Sequence, residues 1–158
     1  MTRVKKVVVT FAAVLLLGGT HAAAQDQTKL PALVDPNTGS DKELAAVSNI
    51  TPAIAKVIVS RRPFKTVVDL DNVLKEQKLT AEQITGAHRT LFVRLNLNSA
   101  TDDEILAIPG IGKRMLHEFK EYRPYTSMEQ FRREIGKYID KDKREAELAR
   151  LERYVFIK

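Results

Sequence analysis

The sequence predicts a mainly all-α fold: two tandem helical units packed as one compact domain, with short β-strand pieces near residues 91–97 and 154–157. Three observations carry this. Shifting the chain by 61 residues lays Val34–Leu74 on Leu95–Ile135 without a gap, and a further shift of three lays Arg89–Arg94 on Arg153–Lys158. Helix-capping residues recur in the same register. Apolar residues fall at helical spacing between the caps.

Residues 1–24 read as an export signal. Arg3, Lys5 and Lys6 precede the apolar run Val7–Gly18, and Ala22-Ala23-Ala24 offers a small-residue cleavage site. The run is short for a bilayer span, so an uncleaved anchor is the lesser alternative and the mature chain is expected to be exported, soluble and periplasmic. Residues 25–36, with two prolines and no helical period, read as a linker. The units then occupy 37–94 and 95–158.

Within each unit the elements follow in one order. Ser40 and Thr101 precede first helices, with Glu43 and Glu104 three residues on, the reciprocal pattern of a capping box. Leu44 and Val47, then Ile105 and Ile108, point those helices at a core. Second helices carry Ile54, Val57 and Ile58, or Met115, Leu116 and Phe119. They must stop before Pro63 and Pro124, because the residue before proline is driven out of the α region. Thr66 with Asp69, and Ser127 with Gln130, open third helices. Thr80 with Gln83, and the region from about Asp142, open fourth ones. Leu91–Leu97 and Tyr154–Ile157 alternate with period two. Helices of two or three turns are marginal alone, so Met115, Phe119, Phe131 and Phe156 are expected in the core.

Composition sets limits on function. The formal charge of +6 includes three basic residues of the leader, and the mature chain carries 23 Lys+Arg against 20 Asp+Glu, a net of +3. That balance does not by itself argue for nucleic acid. There is no cysteine, hence no disulfide, thiolate metal site or lipid-carrying cysteine. Local placement of charge has to carry any binding function.

One stretch does place charge. Ile108-Pro109-Gly110-Ile111-Gly112-Lys113-Arg114 joins two short helices through a tight turn, and the second helix begins with unpaired N–H groups bearing partial positive charge. Gly110 and Gly112 allow positive φ and close approach. Lys113 and Arg114 stand at the same end. The arrangement suits an anion such as phosphate, while tight helix connections also use glycine for geometry alone. Ile111 keeps an apolar position, since unit one has Ile50 there.

Leu97-Asn-Ser-Ala-Thr-Asp-Asp-Glu-Ile-Leu-Ala-Ile-Pro-Gly-Ile-Gly-Lys113, continuing through Tyr122-Arg-Pro-Tyr125, resembles the helix-hairpin-helix repeat of exported competence DNA receptors (ComEA-like). The duplicated exported frame is also similar to the photosystem II extrinsic subunit U (PsbU-like), a structural protein-binding piece. Unit one keeps Asn37 and Arg62-Pro-Phe64 but reads Ser48-Asn49-Ile50-Thr51 at its hairpin. Second hairpins at Lys75–Thr80 and Glu134–Asp140 are degraded too. The first resemblance implies binding of double-stranded DNA through backbone phosphates without sequence specificity, in DNA uptake. The residues would be Gly110, Ile111, Gly112, Lys113 and Arg114, with Lys120 as an accessory. The second implies a periplasmic protein-interaction scaffold that binds no DNA.

No catalytic residue, cofactor or metal is expected. DNA glycosylases with this turn place a catalytic aspartate downstream, and none lies between Arg114 and Asp140. His88 and His117 have no metal-ligand spacing and read as solvated or half-buried helix positions. Asp102, Asp103 and Glu104 are explained by capping and the helix dipole. Asp140–Arg150 mixes signs at i,i+3 and i,i+4, as an exposed helix face does. Whether Arg61 and Arg62 join the Lys113 surface depends on how the units pack.

Overall fold

The computed structural model describes residues 30–158; the leader reading of residues 1–24, and residues 25–29 of the linker, lie outside the described residues. Unit one runs through α1 (Asp41–Ala45), α2 (Pro52–Ser60), α3 (Val67–Glu76) and α4 (Ala81–His88). After β1 (Leu95–Asn96), unit two follows with α5 (Asp102–Leu106), α6 (Lys113–Glu121) and α7 (Met128–Ile135). Two 3-10 turns, Gly136–Tyr138 and Lys141–Lys143, then lead into α8 (Arg144–Glu152) and β2 (Val155–Phe156). The fold is mainly helical, as the sequence predicts.

The helix starts are fixed locally. Ser40, Thr66, Thr80 and Thr101 each accept from the N3 amide while the N3 side chain returns to the cap, so all four are complete capping boxes. Ser127 caps the Gln130 amide, but the Gln130 side chain turns to the amide and hydroxyl of Thr126, at 2.8 and 2.9 Å, so the expected reciprocity is missing. The fourth helix of unit two starts at Arg144 rather than Asp142. Its N-cap is Lys143, which offers no capping oxygen, and the chain before it winds as a 3-10 turn.

The helices are too short to stand alone, so side chains distant in sequence tie them together. Asn37 donates to the Phe64 carbonyl at 2.9 Å and accepts from the Phe64 amide at 2.7 Å. Asn98 does the same to Tyr125, at 2.9 and 2.7 Å, 61 residues later. Arg62 donates to the carbonyls of Pro36 and Gly39, and Arg123 to that of Ala100. Both arginines precede prolines across cis peptide bonds. Arg61 pairs with Glu76 at 3.0 Å. Arg61 and Arg62 are thus both engaged within unit one.

The strand pieces are shorter than the alternating segments and run parallel, with Leu95 opposite Val155 and Asn96 opposite Phe156. Unit one has the same pairing in reduced form. Val34 bridges Leu91 in parallel, donating to the Thr90 carbonyl at 2.6 Å and accepting from the Phe92 amide at 3.2 Å. This corrects the linker reading for residues 30–36. Two prolines and no helical period describe an extended strand as well as a tether, and here Pro36 is buried.

Two apolar clusters form the core, one per unit, and Val67 and Phe92 from the first half lie in the second cluster. Phe119 and Phe131 are buried as expected, whereas Met115 and Phe156 are half-buried at the rim. At the junction His88 is buried, contrary to the solvated reading. Its Nε2 lies 2.8 Å from Asp71, and its Nδ1 lies 3.2 Å from the Ala107 carbonyl at the end of α5. The equivalent residues of unit two are Arg132 and Glu152, an ion pair at 2.9 Å with the acid on the other helix and both side chains partly open to solvent. The pair that unit one buries against α5 is thus replaced in unit two by an ion pair open to solvent.

Tyr125 is buried with no partner for its hydroxyl among the described residues, and unit one has Phe64 in its place. Tyr125→Phe removes an unsatisfied polar group and should stabilise the protein by about 1 kcal/mol in urea unfolding. Burial pushes the Tyr125 pKa up. The unfolded chain then releases its proton from about pH 10, where the folded chain still holds it, and stability falls as pH rises. The advantage of the variant should be constant below about pH 9 and widen above about pH 10.

Candidate nucleic-acid interface

The structure gathers Gly110, Ile111, Gly112, Lys113 and Arg114 at the exposed end of α6 as an α5–α6 hairpin. Gly110 has φ +85°, a left-handed conformation that favours glycine. Unit one turns at the same place through Asn49, with φ 66°. The Ile111 amide donates to the Ile108 carbonyl at 3.0 Å, as the Ile50 amide does to Val47 at 3.1 Å. Ile111 is half-buried, and its N–H closes the turn instead of facing a ligand. That corrects its place among the phosphate donors.

The remaining amides differ between the units in the way an anion would register. Gly112 is the N-cap of α6, extended at φ −108°, with no side chain to cap the helix and open space where a Cβ would stand. Among the described residues the amides of Gly110, Gly112, Lys113, Arg114 and Met115 have no acceptor. In unit one the N-cap is Thr51, whose hydroxyl accepts from the Ile54 amide at 3.3 Å, and N1 is Pro52, which has no N–H. The corresponding pocket is thus filled by its own chain. Unit two leaves it open.

Side chains add charge unevenly. Lys113 and Arg114 are exposed and have no carboxylate within ion-pair distance among the described residues. Lys120, expected as an accessory, is engaged elsewhere: its ammonium meets Asp102 of α5 at 2.6 Å. Helix geometry put Lys120 on the right face, but the α5–α6 packing brings an acidic first turn against it. His117 is exposed and lies 3.3 Å from Glu121.

The hairpin has a support that the sequence left in an exposed helix face. Arg150 of α8 donates to the Pro109 carbonyl at 2.7 Å and is paired with Glu147, at 2.6 and 2.8 Å. Glu147 pushes the Arg150 pKa further up, so the guanidinium stays charged. In a planar trans peptide the C=O and N–H point opposite ways. Fixing the Pro109 carbonyl toward α8 therefore turns the Gly110 N–H away from it. The repeat carried a signal for this: Arg150 stands where unit one has Gly86, and a Cβ there would come within 2.9 Å of Asn49. A large hairpin side chain over glycine in one unit is exchanged for glycine beside arginine in the other.

Residues 32–89 match the family model of the helix-hairpin-helix motif, so the first half of the chain carries a helix-hairpin-helix segment. The matched segment covers residues 32–36 and most of unit one, whose hairpin has no glycine. Such motifs commonly bind nucleic acid. No curated protein and no solved structure matches the chain.

Gly110→Ala places a Cβ at positive φ and should cost about 1–2 kcal/mol, whereas Gly112→Ala, in extended backbone with free space, loses only glycine's preference over alanine at an N-cap and should cost about 0.5 kcal/mol. Urea unfolding of the two variants measures the contrast.

Proposed function

We propose that this protein is an exported DNA-binding module that holds the phosphate backbone of duplex DNA without base preference and serves in DNA uptake. The grip is the α5–α6 hairpin. The observation that carries the reading is the difference between two equivalent helix starts: α2 is closed by Thr51 and Pro52, and α6 is open at Gly112 with Lys113 and Arg114 beside it. Backbone amides and a helix N-terminus attract phosphate and do not distinguish bases. The free donors are those of Gly110, Gly112, Lys113, Arg114 and Met115, flanked by the side chains of Lys113 and Arg114. The chain acts by binding and not by catalysis, and residues 1–24 direct it out of the cytoplasm, to the periplasm.

A scaffold role has one observation in its favour. Leu106 is 38% exposed in a groove where Val68 and Ala107 lie among Asp71, Lys75 and Asp103, a mixed apolar and charged surface of the kind protein interfaces use.

Random-sequence duplex DNA separates the two. Binding at low salt should weaken with a log–log slope of about 1 to 3, the mark of few phosphate contacts. Gly112→Thr installs the cap of unit one. It should gain about 0.5 kcal/mol of stability while losing about tenfold in DNA affinity, since the Met115 amide is then satisfied internally. Unchanged affinity in the folded variant removes the hairpin as the site, and no binding by the parent protein leaves the scaffold.

A further inference from the structure

The hairpin has a second basic surface on its α8 side. A groove between the units is walled by Pro109, Gly110 and Tyr154 and receives Arg89, Arg150 and Arg153, with Glu147 as its one carboxylate among the described residues. Glu147 is taken by Arg150, whose third nitrogen is on the Pro109 carbonyl. Arg153 donates to the Pro31 carbonyl and lies 5.9 Å from the Tyr154 ring, and its other guanidinium donors have no partner among the described residues. The exposed Arg89 side chain has no hydrogen bond or ion pair among the described residues.

Arg89 and Arg153 are equivalent in the repeat, each the C-cap of its unit's fourth helix. An arginine at a helix C-terminus also answers the helix dipole. That role accounts for one arginine per helix end but leaves the convergence unexplained. Two C-caps and a third guanidinium share one recess whose only acid among the described residues is already paired. Positive charge without a counterion beside apolar walls attracts an anion strongly, and a guanidinium fork matches a phosphate. Gly110 borders this recess and the open start of α6, with no side chain to divide them.

We propose that Arg89 and Arg153 form a second phosphate subsite that takes the DNA backbone next to the phosphate on the Gly110–Arg114 hairpin. Unit one then contributes to DNA binding through the end of α4, its own hairpin being closed. This rests on the hairpin reading above. Arg150 serves both subsites as a positioning residue, because it holds the peptide between them.

The test is the salt dependence of binding to a labelled random duplex. Arg89→Ala, which removes no hydrogen bond among the described residues, should lower the log–log slope by about 0.9, and Arg89→Ala/Arg153→Ala by about 1.8, one phosphate contact each. Arg89→Lys should keep the parent slope. A control of equal charge, Lys42→Ala/Lys56→Ala on exposed faces of α1 and α2, should leave the slope unchanged. If Arg89→Ala keeps the parent slope while Gly112→Thr loses affinity, the groove is no subsite and the hairpin reading stands. If the control lowers the slope as much as the arginine variants, only net charge is at work and the subsite is overturned. If the parent protein binds no duplex at low salt, the subsite and the hairpin reading fall together.

Discussion

Each unit hangs on one asparagine amide. Asn37 and Asn98 hold both polar groups of a backbone residue 27 positions away, Phe64 or Tyr125, as a neighbouring strand would. The amide is the shortest side chain that both donates and accepts in a plane, so it can replace a ladder rung where no strand exists. The clasp seats an aromatic ring in the core and sets where the third helix begins. Helices of five to ten residues have little stability of their own, and the clasp is what makes four of them one unit.

On that common frame the two halves have diverged by exchange of partners. Thr51 and Pro52 close one helix start, and Gly112 and Lys113 open the other. Asn49 over Gly86 becomes Gly110 beside Arg150. Asp71 with His88 becomes Arg132 with Glu152, moving a buried junction to a wetted surface. In each case the fold is kept because what one position gives up in volume or charge, its partner supplies. Function has room to change where the frame is indifferent.

A net charge of +3 is weak for a nucleic-acid ligand, yet the acids are largely spent inside the fold. Glu43, Glu104 and Asp69 complete capping boxes, Glu147 holds Arg150, and Asp102 holds Lys120. Lys113, Arg114 and Arg89 keep no carboxylate among the described residues. Placement of pairs, more than their number, decides what field a partner meets.

The sequence alone determined the helical class, the duplication, four of the five expected capping boxes and the position of the glycine hairpin, because each rests on residues three or four apart or on a fixed repeat. Those interactions form within one turn of chain, whatever surrounds them. Tertiary structure decided the rest. It turned the Ile111 amide inward, paired Lys120 with Asp102 18 residues away, and brought Arg150 across 41 residues to the Pro109 carbonyl. It folded residues 30–36 onto the body through Val34 and buried His88 between the units. Such contacts depend on how helices of known type are set against one another, and helical periodicity gives the face a residue occupies without naming what lies opposite.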